Sequence, residues 1–158
     1  MNNLFKAYDI ELNDFQKQKF DEFLKLFLEK NSLINLSAIR DENWVILKHF
    51  IDSILILSHK NLYWKVMDLW TGWGFPGIPL SIMTQDKDVE YTLVDSIQKK
   101  VKVVNEFIEN LELKNIKAIS ARAEELWRDK EYREQFDFVV SRAMAYLPTL
   151  LEYVSPFL

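Results

Sequence analysis

Gly72, Gly74 and Gly77 stand in the spacing G-x-G-x-x-G within "DLWTGWGFPGIP" (68–79), and they are the only glycines of the chain. An apolar run precedes them and a helical pattern follows. Strand, glycine turn, helix is the context in which such a turn wraps a nucleotide. Asp95 fits the same chemistry: it lies 18 residues beyond Gly77, at the end of the next strand-like run. A carboxylate there accepts hydrogen bonds from both hydroxyls of a ribose. Its other expected role is to cap the helix that starts at "SIQKK" (96–100), and the two roles are compatible.

The turn does not suit phosphates. A pyrophosphate needs a helix N-terminus free to face it, but Phe75 and Pro76 crowd the tip, and proline has no amide hydrogen. An adenosine ligand without phosphates fits better. S-adenosylmethionine is one, with its sulfonium and amino-acid tail at the turn and Asp68 in reach of their positive charge.

The elements that must position these residues follow from periodicity. Phe20, Phe23, Leu24 and Phe27 form a helical stripe that breaks between Asn31 and Leu36. Asp41 is placed to cap a second helix carrying Val45, Leu47, Ile51, Ile54 and Leu55. Both stripes read as core packing. From Lys65 strands alternate with helices: "KVMDL", "VEYTLVD", "NIKAIS" and "FDFVV" are the strands. Between and after them lie helices at "GIPLSIM", Ile97 to Leu111, "RAEEL" and Tyr146 to Tyr153, with a charged helix or loop from Glu124 to Glu134. Pro79 is tolerated in a first turn. This order predicts a parallel sheet with helical crossovers. Residues 1–60 read as a helical extension and 61–158 as an α/β core, together one structural domain.

Composition narrows the class. There is no cysteine, no apolar run approaches the ~18 residues of a membrane span, and the first residues lack the layout of a signal peptide. A cytoplasmic protein is expected. Two histidines do not make a metal site on their own, and none is expected. The net charge of -4 does not advertise a nucleic-acid binder, although Lys99, Lys100 and Lys102 supply a local basic face.

Six segments carry a resemblance. "NLSAI" (35–39), "HFIDSI" (49–54), "DLWTGWGFPGIPLSI" (68–82), "VDSIQKKVKVVNE" (94–106), "ARAEEL" (121–126) and "SRAMAYLPTLLEY" (141–153) occur in this order. Together they closely resemble the glucose-inhibited division protein B family, bacterial methyltransferases that make 7-methylguanosine in small-subunit (16S) ribosomal RNA. The resemblance implies a class I methyltransferase fold, Rossmann-like and mostly parallel, behind an N-terminal helical extension. It implies S-adenosylmethionine as methyl donor, ribosomal RNA or its subunit particle as partner, and a monomer.

Position by position, Trp70, Gly72, Gly74 and Phe75 match the donor-binding turn, with Asp68 before it, and Asp95 the acidic ribose position. Ala123 and Glu124 match the pair bordering the adenine. Arg142 matches the arginine beside the methyl-transfer centre, where it also meets the donor. His49, Asp52 and Ser53 match a motif expected at the RNA-facing mouth, and Arg122 is a candidate to hold a phosphate or guanine O6 with Arg142. The chemistry agrees, because guanine N7 has a lone pair and no proton to remove. Methyl transfer to it requires alignment more than a general base.

The chain departs from the family pattern at its tryptophans. Trp70 takes the first glycine of the family turn and Trp73 a position that is normally small. Indoles there are expected to block the donor loop. Trp64 stands where the family commonly has a turn glycine, and Trp127 at an expected C′ position, where glycine is favoured. Trp44 reads as an ordinary helix residue. Average usage would give roughly 11 glycines, and the chain has 3. The four positions are therefore expected to be glycine in the protein the cell makes, as in lineages that read UGA as glycine. UGG at those codons would refute this. The last three strands of the fold are expected to be missing, leaving a long apolar sheet edge.

Two rivals remain: a NAD(P)-binding oxidoreductase fragment, on the glycine spacing alone, and a non-catalytic RNA-binding relative with its donor pocket plugged by Trp70 and Trp73.

Overall fold

A computed structural model describes residues 1–142 and 146–158. The alanines and methionine at 143–145 of the "SRAMAYLPTLLEY" segment lie outside the described residues.

The N-terminal part is helical. After the short α1 (Asn2–Lys6) comes α2 (Asp14–Ile34). Its start is a capping box: Asn13 Oδ1 accepts from Gln16 N at 2.8 Å, and Gln16 Oε1 accepts from Asn13 N at 3.0 Å. The helix runs past the expected break at Asn31 and ends at Asn35, which is left-handed at φ 52°. Asn31 stays helical because its buried amide has work to do there. It accepts from Ser37 N at 2.8 Å and donates to Ile39 O at 3.0 Å, folding the next segment back onto the helix.

Asp41 caps the next helix as expected, accepting from Trp44 N at 3.1 Å. That helix is α3 (Glu42–Val45), followed by a π-helical stretch (Ile46–Ile51), α4 (Asp52–Ile54) and a 3-10 turn (Leu55–Ser58). The changes of pitch rotate the apolar stripe. Val45, Ile51 and Ile54 are buried, but Leu55 turns outward.

The core comprises β1 (Trp64–Leu69), α5 (Gly77–Met83), β2 (Val89–Asp95), α6 (Gln98–Asn110), β3 (Ile116–Ser120), α7 (Ala123–Leu126), β4 (Phe138–Val140) and α8 (Leu147–Val154). All strand pairs are parallel, in the order β3-β2-β1-β4. Side chains alternate between the faces. Val66, Tyr91 and Leu93 join α2, α5 and α6 in one cluster, while Met67, Leu69 and Val94 pack with Ala123, Leu126, Val154 and Phe157 in the other.

The expected helix from Ile97 starts at Gln98, and Ile97 itself points outward, 48% exposed. The expected long edge is short, since β4 has three residues. The C-terminal turn folds beside it, with Pro156 O accepting from Glu134 N and Phe157 O from Phe136 N, both at 3.0 Å.

Phenylalanines join the two parts. Phe75, from the glycine turn, packs against Phe23 at 5.6 Å and Phe27 at 5.5 Å between ring centroids, and both touch Phe107 of α6. The helical layer thereby fixes the turn.

Candidate active site

The turn from Asp68 to Gly77 is organised from behind. Asp68 is fully buried at the end of β1, and its Oδ2 accepts from Thr71 Oγ1 at 2.6 Å and Gly77 N at 2.8 Å. Its Oδ1 has no partner among the described residues, and burial pushes the carboxyl up to about 7. A Cβ on Gly77 would sit 2.6 Å from a Leu93 methyl and 2.8 Å from Asp68 Oδ2, so only glycine lets the carboxylate reach the helix start.

The amides at the tip are spent inside the turn. Gly74 N and Phe75 N donate to Thr71 O, Ile78 N to Gly74 O, and Gly77 N to Asp68. A pyrophosphate would find no row of free donors here, which removes the support for the dinucleotide rival.

In front of the turn lies a cavity of about 340 Å³, within the ~300–1,000 Å³ of small-molecule sites. Trp70, Gly72, Trp73, Phe75, Asp95 and Arg142 contribute to its wall, as do Ser37, His49, Ile97 and Lys100. Gly72 is left-handed at φ 60°, and nothing lies within 4 Å of where its Cβ would be. Asp95 caps no helix end in the expected way. Its Oδ2 accepts from Gly72 N at 3.0 Å and its Oδ1 from Ile97 N at 2.9 Å, tying the turn to the loop after β2. The Lys100 ammonium is 3.9 Å from Asp95 Oδ2 and lies over the Trp73 ring at 5.8 Å. A further cavity of about 370 Å³, at the opposite strand ends beside Lys65, Glu90 and Tyr132, contains none of the motif residues.

Arg142, after β4, reaches into the helical layer. Its Nη1 donates to Asp52 Oδ2 at 2.7 Å, Lys48 O at 3.0 Å and Ser53 Oγ at 3.4 Å, and its Nη2 faces His49 Nδ1 at 3.3 Å. The guanidinium carbon lies 5.6 Å from the centre of the Phe75 ring, on which His49 stacks at 4.9 Å. Burial and the Arg142 charge lower the His49 pKa to about 4, so the imidazole is neutral at neutral pH. The residues expected at the mouth thus meet the arginine expected at the transfer centre.

The remaining candidates are elsewhere. Ala123 is buried in the second cluster, exposed Glu124 accepts from Tyr153 Oη at 3.1 Å, and Arg122 is exposed at the start of α7. None of the three lines the cavity. Lys99 and Lys102 are exposed, and only Lys100 of the lysine face reaches the cavity wall. Ser37 is a site residue that the sequence reading does not single out. It stands in "NLSAI", but nothing local to that segment points at Arg142.

The tryptophans divide. Trp64 and Trp70 are left-handed, at φ 54° and 62°, a conformation that costs an L side chain roughly 1–2 kcal/mol. Trp127 is not at a left-handed C′ position. Its φ is -57° because the chain continues in right-handed turns, and its Nε1 donates to Tyr153 O at 3.2 Å. Trp73 is not left-handed either. The two indoles do not fill the space in front of the turn: the Trp70 ring packs on Tyr153 at 5.0 Å, and a cavity remains with both indoles in its wall. Trp44 is 53% exposed beneath the Lys48 ammonium.

A family described as rRNA small subunit methyltransferase G matches residues 16–158. The chain belongs to this family. The ribosomal RNA small subunit methyltransferase G of Acetivibrio thermocellus is 46% identical over 154 residues, covering 96% of this chain and 62% of that protein. That of Streptococcus uberis is 41% identical, covering 96% and 64%. The chain therefore spans a little under two thirds of the length of these relatives. Among solved structures, the O-methyltransferase from Bacillus cereus in complex with SAH matches with a TM-score of 0.63 at 14% identity, over 99% of this chain and 66% of that one. A SAM-dependent methyltransferase from Aquifex aeolicus matches at 0.54 and 22% identity, over 72% and 61%. The fold is the α/β, class I methyltransferase-like fold expected from the sequence.

Proposed function

We propose that the protein is an S-adenosylmethionine-dependent methyltransferase that makes 7-methylguanosine in small-subunit ribosomal RNA. The observation that carries this reading is the corner formed by Gly72 and Asp95. A carboxylate offers about four lone-pair directions, and two backbone amides take two of them here. The other two suit a ribose diol at the wall of a cavity of fitting size. Open space beside Gly72 admits a ligand close to the backbone, and the spent amides at the tip match a donor without phosphates.

On this reading Trp70, Gly72, Phe75 and Asp95 hold the donor, while Gly74, which faces Ile78 and not the cavity, and Asp68 shape the turn from behind. Ala123 and Glu124, which lie outside the cavity wall, take no part in holding the donor. S-adenosylmethionine supplies the methyl group. The protein contributes alignment: guanine N7 needs no base, and Arg142 offers hydrogens to an RNA oxygen. His49, Asp52 and Ser53 hold that arginine, while Arg122 and Lys100 add positive charge for the backbone. The protein works as a monomer in the cytoplasm.

Equilibrium binding of S-adenosylhomocysteine and of NAD, with mass spectrometry of small-subunit RNA after incubation with S-adenosylmethionine, tests the reading. Uptake of S-adenosylhomocysteine and a new 7-methylguanosine are expected. Uptake of NAD alone would end it. The indoles of Trp70 and Trp73 in the cavity wall favour one second reading, a non-catalytic relative. It predicts RNA binding without donor uptake.

A further inference from the structure

Three segments far apart in the chain meet around the ring of His49. On one side, its Nδ1 faces Arg142 Nη2 at 3.3 Å. On the other, its Nε2 lies 3.2 Å from Ser37 Oγ. Phe75 fixes the ring plane from below, with an interplanar angle of 20°. These contacts select one tautomer. A guanidinium only donates, so Nδ1 must be the acceptor and the proton of the neutral ring sits on Nε2, directed at Ser37. Ser37 Oγ also accepts from Ile39 N at 3.1 Å, and buried Asn31 clamps that turn from both ends. The result is a fixed chain of donors and acceptors running from α2 to the guanidinium.

Arg142 Nη1 is spent on Asp52, Lys48 and Ser53. Among the described residues no partner takes the Nε hydrogen, and His49 takes only one of the two on Nη2. Arg142, His49 and Ser37 all line the cavity.

We propose that Ser37 and His49 are positioning residues for Arg142, setting its guanidinium plane so that its unspent hydrogens meet an oxygen of the RNA substrate. This rests on the methyltransferase reading above. A relay of this kind acts on the RNA and not on the methyl donor, whose ribose corner lies at Gly72 and Asp95.

Three substitutions separate positioning from packing. His49→Phe keeps a ring against Phe75 but removes both nitrogens, His49→Asn returns an acceptor near the Nδ1 position, and Ser37→Ala removes the far anchor. Losing a hydrogen bond to a charged group predicts a roughly 10- to 100-fold fall in kcat/KM for RNA in His49→Phe, with the Kd for S-adenosylhomocysteine unchanged within about twofold. His49→Asn is expected to recover about tenfold, and Ser37→Ala to lose roughly 2- to 10-fold. Nitrogen-15 spectra of the wild-type ring near neutral pH should show the Nε2–H tautomer, and Arg142→Gln should shift the Nδ1 signal. An Nδ1–H tautomer, or a His49→Phe protein as active on RNA as wild type, overturns the relay. If the wild type neither binds S-adenosylhomocysteine nor methylates RNA, the proposed function fails. The ring spectrum then still decides whether the relay exists.

Discussion

The two halves of the site are built by opposite means. Around Asp68 the bonds span three and nine residues, in a place without solvent. Around Arg142 they span 89 to 94 residues and join a half-buried guanidinium to exposed Asp52. The first half is a local fold of one turn, and its disruption leaves buried groups unpaired. The second is a docking contact between two layers, screened by water on one side. Stability should therefore reside in the turn and substrate alignment in the docking.

Asp68→Ala should have the largest effect. It leaves the Thr71 hydroxyl and Gly77 amide unpaired in the core, and a loss of about 3 kcal/mol is expected in chemical denaturation. An equal loss from Asp52→Ala would erase the contrast.

The halves should also titrate in opposite senses. The Asp68 carboxyl is raised from 3.8 to about 7. The folded state then binds the extra proton, and its contribution is present below pH 3.8 and lost as pH rises through 7. His49 is lowered from 6.5 to about 4. Here the unfolded state binds the extra proton, so its contribution is present above pH 6.5 and lost as pH falls towards 4. In denaturation across this range, Asp68→Asn should remove the first slope and His49→Phe the second. Unchanged slopes in both would remove the electrostatic side of the comparison.

The tryptophans sharpen the contrast further. Trp127→Gly should cost about 2 kcal/mol in thermal melting, because it removes ring packing on Tyr153 and a hydrogen bond from a right-handed position. Trp70→Gly exchanges relief of roughly 1–2 kcal/mol of left-handed strain for a ring contact of about 0.5–1.5 kcal/mol. Its melting temperature should barely move, while S-adenosylhomocysteine binds about tenfold tighter as the wall opens. Equal destabilisation by both substitutions would contradict the assigned backbone conformations.

The smallest effect belongs to the exposed ion pair. Asp52→Ala should cost about 0.5 kcal/mol of stability, shrinking as salt is added.

Much of the turn is legible in the amino-acid sequence alone. "GIPLSIM" and "VEYTLVD" mark their helix and strand to the residue. The sequence puts Asp68 in reach of a bound donor, however, and only the fold shows it buried behind the turn against Gly77 N. The tryptophans are half legible. The family pattern and an expected C′ position single out four tryptophans, but only backbone conformation separates Trp64 and Trp70 from Trp127. Leu55 and Ile97 go the other way. Their spacing fits a buried stripe, and a change of helix pitch or a late helix start turns them outward.

By itself the sequence determined the strand and helix order and the position of the glycine turn, because periodicity and left-handed geometry act over a few residues, and its six motif segments carried the resemblance to the family. Only the tertiary structure decided that Ser37, His49 and Asp52 meet Arg142 and that the cavity stays open beside two indoles. Those outcomes depend on how the helical layer packs through Phe23, Phe27 and Phe75 against the sheet, and no local pattern encodes that distance.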